Sequence, residues 1–330
     1  MRSSHPAVSI VIAARNEGQR IAQCLQALQN QSLDRGQYEV IVVDDDSNDG
    51  TADVAACLGA RVVRQQYKGA AAARNRGIEE ARGEIVLFTD ADCIPEMHWV
   101  ERLSSPLKQT AIAGTVGRIV SLQSHWIAGL IQVELDEHYE RMGHRESIDY
   151  VNTGNCGFKR ALLCQNHFDE TFLWIEDLEL SFRLAQRGER VVFVQDALVE
   201  HAHPERLLAH LRRKFCHATF VPYIYRRYPN KILCDSRTSA NRRLQLLLLV
   251  LALASAPAGI LSVNGVIFSL GCLGGAMALS LPVYRRAAAK SLALGLVAPF
   301  FVLMGNLAFA VGMAWALIAR TRFRSPHLRA

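Results

Sequence analysis

The first ninety residues alternate short apolar runs with longer segments of helical character. Four runs of Val, Ile, Leu and Phe have the length and composition of buried parallel strands: residues 8–13, 39–43, 61–63 and 84–88. The segments between them show helical spacing or an Ala-rich composition: residues 17–29, 53–58 and 70–81. This alternation predicts βαβ units, and therefore an α/β fold with a doubly wound, mostly parallel sheet.

Polar clusters follow three of the predicted strands, at residues 14–17, 44–49 and 89–92. In doubly wound sheets, ligands bind at the carboxyl ends of the strands. The pattern therefore predicts a ligand site built from these three clusters.

Three later stretches belong to the same first domain. Residues 150–160 indicate a Gly-rich strand and turn, and residues 191–194 indicate a further strand. Leu180 and Leu184 are at helical spacing, which places residues 176 and 177 in the first turn of a helix.

The chain changes character after residue 204. Residues 206–228 combine an apolar stripe with Arg, Lys and Tyr, which is typical of a helix at the headgroup level of a membrane; a basic, solvated helix packed on the first domain is the alternative. Residues 244–284 and 291–319 contain no charged side chain, and such runs are too long for a soluble core helix.

These patterns predict three regions. They are a first domain over residues 1–204, basic aromatic interfacial helices over 205–241, and a transmembrane region over 242–330 with hydrophobic segments at 244–263, 265–284 and 291–319.

Charge supports this division. Residues 1–204 carry 20 Lys and Arg against 29 Asp and Glu, whereas residues 205–330 carry 17 against 2. An acidic domain followed by a basic, apolar end favours attachment to an anionic membrane surface over binding to nucleic acid.

Positive charges also predict the topology. Arg and Lys flank the first two hydrophobic segments, so we expect a hairpin with both ends in the cytoplasm and the first domain at the cytoplasmic face of the inner (plasma) membrane. The third segment is followed by Arg320, Arg322, Arg324 and Arg329, which leaves open whether it spans the membrane or is re-entrant.

Two acidic clusters carry the candidate chemistry. Asp90 and Asp92 flank one small residue directly after a predicted strand, so their carboxylates can offer hard oxygen ligands to Mg²⁺ or Mn²⁺. The second cluster, Asp44–Asp46, could belong to the ligand site, or it could be a solvated turn that caps the next helix. Two such clusters at the ends of adjacent strands would repel each other unless a cation or a hydrogen-bond donor lies between them.

Five motifs in this order resemble those of the family 2 glycosyltransferases, which have a GT-A type fold: residues 8–17, 43–51, 73–77, 90–92 and 176–177. The resemblance covers roughly residues 7–205. It implies inverting transfer of a sugar from a nucleotide-diphospho-sugar donor, with Mg²⁺ or Mn²⁺ as cofactor. One departure is Ala13, where many members have Pro.

The resemblance also implies roles for individual residues. Five are expected to bind the donor: Asp45 at the base, Ala13 and Glu17 along the base and ribose pocket, Arg74 beside the nucleotide, and Asp90 at the ribose. Two are expected to bind the metal: Asp92, and His201, because several similar enzymes complete the metal shell with a His at this point.

Inversion needs a base on the side of the sugar opposite the leaving diphosphate. Asp177 is the candidate, since a helix N-terminus can orient a carboxylate, and an ordinary N-terminal helix carboxylate is the alternative. Glu176 is expected to support it at the acceptor site, and Asn155 in the Gly-rich stretch is a second candidate for acceptor contact.

We therefore expect a membrane-anchored, metal-dependent, inverting glycosyltransferase with a lipid or lipid-linked acceptor, acting in envelope glycan or glycolipid synthesis. Two alternatives stay open: a membrane-bound nucleotide-sugar-binding scaffold without transferase activity, and a processive polysaccharide synthase. The sequence lacks the Gln-x-x-Arg-Trp motif with which similar processive synthases hold a growing chain, which argues against the second.

Overall fold

The computed structural model describes residues 6–257 and 262–318, which fall into two compact units. The first unit contains the chain up to Leu122 and the segment Tyr139–Ala202. The second contains Gln123–His138 and the described part of the chain from His203 to Ile318. Residues 123–138, which were expected in the first domain, thus group with the second unit.

An eight-stranded sheet forms the centre of the first unit. Its strands are β1 (Val8–Ala14), β2 (Tyr38–Asp45), β3 (Arg61–Gln65), β4 (Ile85–Thr89), β5 (Cys93–Pro95), β6 (Gly114–Ser121), β7 (Asn155–Lys159) and β8 (Val191–His201). The strand order is β3-β2-β1-β4-β7-β6-β8-β5. The four neighbouring strands β3, β2, β1 and β4 pair in parallel, and so do β6 and β8. Strand β7 lies between β4 and β6 and is antiparallel to both. The prediction of an α/β fold with a mostly parallel sheet is confirmed.

Twelve α-helices are found in the described residues. They are α1 (Ile21–Gln29), α2 (Thr51–Cys57), α3 (Ala70–Glu80), α4 (Trp99–Leu107), α5 (Trp126–Gly143), α6 (Arg160–Gln165), α7 (Glu176–Gln186), α8 (Leu207–Arg227), α9 (Ala240–Ser255), α10 (Val263–Ala278), α11 (Leu281–Lys290) and α12 (Leu292–Ile318). Helix α5 begins in the second unit and ends in the first.

Helices cover both faces of the β1 region. Ile10 and Ile12 share a buried cluster with Leu25 and Leu28 of α1. Val11, which alternates with them along the strand, lies under Gly77 of α3, where an added Cβ would be 2.2 Å from its Cγ1. This close approach places the start of α3 beside the carboxyl end of the sheet.

Helix α1 begins four residues later than predicted, because the preceding loop is tied to the loop after β2. The Glu17 amide donates to Thr51 Oγ1 at 2.9 Å, and the Gly18 amide donates to Asp49 Oδ2 at 3.0 Å. Asn16 adopts a left-handed backbone conformation with φ 55°. The two polar clusters at this edge of the sheet are thus joined directly.

The second unit has its own apolar core. Ile127, Leu130 and Val133 of α5 cluster with Ala298 and Phe301 of α12. Helix α8 also packs closely on α12, since a Cβ added to Gly312 would lie 2.5 Å from the Phe215 carbonyl oxygen. The basic segment expected at the headgroup level is therefore, in large part, a single helix packed within this unit.

The helices that could span a membrane lie near the C-terminal end of the described residues. Within the described residues, α12 is long and apolar enough to cross a membrane, and α10 with α11, bent by 48°, could together make a second span. The predicted segment 291–319 coincides with α12, and 265–284 falls on α10 and the start of α11. Part of segment 244–263 and the four Arg after residue 319 lie outside the described residues.

Candidate active site

A cavity of about 330 Å³ opens at the carboxyl edge of the sheet, within the first unit. Its walls come from the ends of β1 and β2, the loop before α3, and the segment before α7, and they include Ala13, Arg15, Asp45, Tyr67, Gly69, Phe172 and Trp174. Its volume is within the range of small-molecule sites. The structure thus brings together Ala13 and Asp45, which the family resemblance assigned to donor binding.

Asp45 lies at the floor of this cavity and is almost fully buried. Its Oδ1 accepts from Gln65 Nε2 at 2.8 Å and from the Lys68 amide at 2.9 Å, and its Oδ2 accepts from the Gly69 amide at 2.8 Å. Gly69 has φ 96°, a conformation that favours glycine. The carboxylate is therefore held rigidly, in one orientation, at the cavity floor.

An aromatic and cationic pair lies at the cavity mouth. The Arg15 guanidinium carbon lies 3.7 Å from the centre of the Tyr67 ring, within cation–π distance. Trp174 is 40% exposed on the segment before α7. Flat, amphipathic surfaces of this kind suit a nucleobase or sugar ring.

Asp90 and Asp92 form the turn between β4 and β5. Asp92 Oδ2 lies 3.4 Å from Nε2 of His201, the last residue of β8. Burial raises the pKa of Asp92, but the hydrogen bond and charge of His201 and the charge of Arg20 outweigh it and leave the pKa below its ordinary value. The structure thus brings together Asp92 and His201, the two residues that the family resemblance assigned to the metal.

These side chains have the chemistry of a divalent metal site. The ligand atoms of Asp92, Cys93 and His201 all lie within 4.8 Å of one another. Carboxylate and imidazole ligands suit Mn²⁺ and other divalent cations, and Mg²⁺ takes carboxylate oxygens. Burial, with the charges of the nearby aspartates, raises the pKa of the Cys93 thiol, so it is not a reactive nucleophile.

Glu17 lies near this group of possible metal ligands, and it is not among the residues that line the cavity. Burial, followed by the charge of Asp92, raises the pKa of Glu17, and its Oε2 accepts from Arg20 NH1 at 3.3 Å. Arg20 in turn lies 4.0 Å from Asp92 Oδ2. The Glu17 side chain thus lies near Asp92, and its donor-binding role stays a prediction.

Arg74 connects the aspartate turn to α7. Its NH2 donates to Asp90 Oδ1 at 3.1 Å, and its NH1 donates to Glu176 Oε1 at 2.5 Å. Burial lowers the pKa of the guanidinium, but the charges of Glu176, Asp90 and Asp177 outweigh it and raise the pKa. Arg74 side-chain atoms are 7% exposed, so this cation is held among three carboxylates with little access to water.

Asp177 lies in the first turn of α7 and is half-buried. Its Oδ1 accepts from the Leu178 amide at 2.7 Å. The residue before the helix, Ile175, is buried with φ 61°, which is strained for a β-branched side chain. The backbone at this point is therefore held in an unusual conformation that sets the direction of Glu176 and Asp177.

The two residues expected at the acceptor site both have buried side chains. Asn155 is fully buried: its Nδ2 donates to the Arg118 and Ala197 carbonyls, and its Oδ1 accepts from Trp99 Nε1 at 2.8 Å. Glu176 is also buried, and it binds Arg74. Both side chains are thus bonded within the protein, and their roles at the acceptor site stay predictions.

The Gly-rich stretch contributes through its backbone instead. The Gly154 carbonyl accepts from Thr89 Oγ1, and a Cβ added to Gly154 would lie 3.1 Å from Asp90 Oδ2. The small residue lets this chain segment lie directly against the aspartate turn.

Sequence reasoning missed Arg15, Tyr67, Trp174 and Cys93. Cys93 could have been found because it follows Asp92 directly, and Arg15 lies inside a motif that was identified. Tyr67 and Trp174 had no signal of their own, because their place at the cavity depends on how the loops fold.

Comparison with known proteins agrees with this site. Residues 9–164 match the sequence family described as Glycosyl transferase family 2. These residues include β1 to β7 and the aspartate turn. The matched part of the chain belongs to glycosyl transferase family 2.

Related sequences extend the match. Glycosyltransferase AglE from Haloferax volcanii is 29% identical over 224 residues, which are 65% of this chain and 72% of that protein. Pre-mycofactocin glycosyltransferase from Mycobacterium tuberculosis is 29% identical over 245 residues, which are 69% of this chain and 49% of that protein. The chain thus spans about half the length of this second relative.

A solved structure shares the fold. The mannosyltransferase PcManGT from Pyrobaculum calidifontis, in complex with GDP-Man and Mn²⁺, has a TM-score of 0.61 and 19% sequence identity. The match covers 97% of this chain and 89% of that one. This likeness shows a GT-A type fold, with an apolar helix at the C-terminal side. The family match and the related sequences identify the chain as a glycosyltransferase.

Proposed function

We propose that this glycosyltransferase transfers a sugar, with inversion and with a divalent cation, from a nucleotide-diphospho-sugar to a lipid or lipid-linked acceptor at the cytoplasmic face of the inner membrane. The observation that carries the proposal is the placement of the Asp90–Asp92 turn. It touches His201 on one side and, through Arg74, the helix that bears Asp177 on the other.

The donor side of the proposal rests on the cavity and the metal-binding residues. The cavity floor offers the fixed carboxylate of Asp45 to a base, and its mouth offers the Arg15–Tyr67 pair. Asp92 and His201 would hold Mg²⁺ or Mn²⁺, which would neutralise the charge that develops on the leaving diphosphate. PcManGT, which shares the fold, binds GDP-Man and Mn²⁺.

Asp177 is the proposed base. The acceptor hydroxyl oxygen forms a bond to the anomeric carbon while the bond from that carbon to the diphosphate oxygen breaks, and the Asp177 carboxylate takes the hydroxyl proton. The Leu178 amide orients the Asp177 carboxylate. The neighbouring Glu176 carboxylate is bound to Arg74, so it is not the proposed base.

The acceptor side rests on the second unit and on relatives. Helix α12 is long and apolar enough to hold the enzyme in a membrane. One relative, 28% identical over 207 residues, is the beta-monoglucosyldiacylglycerol synthase of Trichormus variabilis, whose name states a lipid product. We infer a lipid or lipid-linked acceptor for this chain and a role in envelope glycan or glycolipid synthesis.

The experiment uses full-length protein in detergent or liposomes with membrane lipid extract. A panel of UDP-, GDP- and dTDP-sugars is tested with Mg²⁺ or Mn²⁺ for release of nucleoside diphosphate and for sugar in the organic-extractable fraction. We expect one donor to label the lipid fraction, and EDTA or Asp92→Asn to reduce transfer by about 100-fold or more. Asp53→Asn is the matched control, since Asp53 is 78% exposed and pairs with Arg64 of β3.

Three outcomes would contradict the proposal. Donor binding without turnover for every donor and acceptor would identify a scaffold. Full activity in EDTA would exclude the divalent cation. A long polymer as product would identify a processive synthase.

A further inference from the structure

Cys93 is placed at the proposed metal site by the sheet. It is the first residue of β5, and it pairs in antiparallel register with His201 at the end of β8. Side chains directly opposite each other on antiparallel strands lie on the same face of the sheet. Cys93 is also the immediate neighbour of Asp92, and its Sγ lies 4.0 Å from Asp92 Oδ1.

The thiol changes the metal preference of this group of ligands. A carboxylate and an imidazole accept many divalent cations, whereas thiolate sulfur selects soft or borderline cations such as Zn²⁺. Zn²⁺ sites with three protein ligands and one open position are typical of catalytic centres. Asp92, Cys93 and His201, with ligand atoms within 4.8 Å of one another, provide such a set of three.

We propose that Cys93 is a third protein ligand for thiophilic cations at this site, so that Zn²⁺ and Cd²⁺ bind there in place of Mg²⁺ or Mn²⁺ and inhibit the enzyme. Coordination forms a sulfur–metal bond, releases the thiol proton to solvent and involves no oxidation or reduction. The inhibition rests on the proposed function, but the binding of the cation does not.

The consequence for the reaction follows from geometry. A third protein ligand fills a coordination position that a diphosphate oxygen would otherwise take. A tetrahedral ion held by Asp92, Cys93 and His201 offers one open position, while Mg²⁺ prefers six ligands and keeps several for water and phosphate oxygens. The soft cation therefore binds the protein more tightly and the donor less well.

Cd²⁺ is a direct probe, because sulfur bound to Cd²⁺ gives a charge-transfer absorption band in the near ultraviolet. Full-length protein in detergent is stripped of metal and titrated with Cd²⁺. Because Cys57, Cys164 and Cys234 are exposed, the parent protein carries Ser at these positions. The matched control is Cys24→Ser, since Cys24 is a second buried thiol below the same turn, 3.6 Å from the Asp90 carbonyl oxygen.

We expect the absorbance of this band to saturate with Cd²⁺ in the parent protein and in Cys24→Ser. In Cys93→Ser, the band should lose the absorbance that one bound Cd²⁺ contributes. Asp92→Asn should weaken the Cd²⁺ affinity by about tenfold or more. Zn²⁺ competition against Cd²⁺ should displace the band in the parent. In the transfer assay, the Zn²⁺ concentration for half inhibition should rise about tenfold in Cys93→Ser.

An unchanged band in Cys93→Ser would overturn the proposal. Circular dichroism and thermal unfolding test whether this variant is folded, and Cys93→Ala serves as a second variant if it is not. Failure of the proposed function has a different signature: no donor is turned over, yet the Cys93-dependent band remains.

Discussion

Arg74 holds together two acidic residues that are far apart in the chain. Its guanidinium donates to Asp90 and to Glu176 while it is almost completely buried. A planar cation with several donors can make both bonds at once, whereas a Lys ammonium on a flexible stem cannot reproduce this geometry. Arg74 is a positioning residue for the aspartate turn and for the helix of Asp177.

The first prediction concerns this residue. Arg74→Lys should lower kcat for transfer by about tenfold or more, because Asp90 and the start of α7 lose their common partner. The control is Arg76→Lys on the same helix, where the side chain is 49% exposed and pairs with Glu79 and Glu80. Steady-state kinetics of both variants measure this fall in kcat, and thermal unfolding tests whether both variants are folded. Equal kcat values for the two variants would show that Arg74 does not position the site.

The individual site residues were only partly predictable from the sequence. Asp92 and His201 are 109 positions apart, and only motif knowledge joined them; the structure brings them to 3.4 Å. The acceptor role given to Asn155 could not be tested from sequence, because burial beneath Trp99 depends on how β7 packs. A polar residue in a Gly-rich stretch looks the same in sequence whether it faces the substrate or the core.

At the scale of elements, the packing of α3 on β1 sets the geometry at the carboxyl edge. Gly77 allows α3 to lie so close to Val11 that no Cβ fits between them. Arg74, one turn earlier on this helix, is thereby held beside Asp90.

The second prediction follows from this contact. Gly77→Ala should destabilise the first unit by about 1–3 kcal/mol, because the added methyl group would overlap Val11 and push the helix outward. Gly36→Ala is the control, since the nearest atom to its added Cβ is 3.9 Å away. Denaturant unfolding followed by Trp fluorescence measures both; a Gly77→Ala variant as stable as Gly36→Ala would contradict the close packing.

The strands and helices of the first ninety residues were predictable, because apolar runs and helical spacing report directly on burial. The predicted strand 39–43 lies within β2, and the bounds of the predicted strand 84–88 differ from those of β4 by one residue. The start of α1 was wrong by four residues, since the loop contacts of Asn16 and Glu17 are tertiary. The antiparallel insertion of β7 could not be predicted, because local pattern does not reveal strand order.

At the scale of the whole molecule, the second unit contains a buried ion pair close to its apolar core. Lys214 Nζ of α8 lies 2.6 Å from Glu134 Oε2 of α5, and both side chains are at most 20% exposed. Burial raises the pKa of Glu134, but the charges of Lys214 and Arg242 outweigh it and lower the pKa to about 2. This pair ties the segment 123–138, which is distant in sequence, to the C-terminal helices of the unit.

The third prediction tests this pair through pH. Glu134→Gln should destabilise the protein by about 3 kcal/mol at neutral pH, because it leaves a buried cation without its partner. Since the folded pKa is lowered from 4.5 to about 2, the stabilisation is present above pH 4.5 and is lost as the pH falls towards 2. Thermal unfolding of full-length protein in detergent should therefore show a difference between wild type and variant that closes on acidification.

The control for this pair is Glu79→Gln, which removes a carboxylate that is 55% exposed. A constant difference between wild type and Glu134→Gln across the pH range would contradict the ion pair as a source of stability.

The division into units was the least predictable feature at this scale. The composition change near residue 204 agrees with the start of the second unit's main segment at His203. Residues 123–138 have an ordinary mixed composition, so nothing in the sequence assigns them to that unit. A truncation at residue 204 would leave Ile127, Leu130 and Val133 without their partners on α12, and the full chain is therefore the right material for functional tests.

Asp177 is the proposed base that takes the proton from the acceptor hydroxyl, and one comparison of variants tests this role. Asp177→Asn keeps the shape and the hydrogen bond from the Leu178 amide but cannot accept the proton. Asp196→Asn, an exposed aspartate of the same unit, is the control. Donor binding is measured by calorimetry and sugar transfer by product formation on the same preparations. We predict unchanged donor affinity for both variants and a loss of transfer of about 100-fold or more for Asp177→Asn alone. Retention of about a tenth of the wild-type rate would contradict it and require another base.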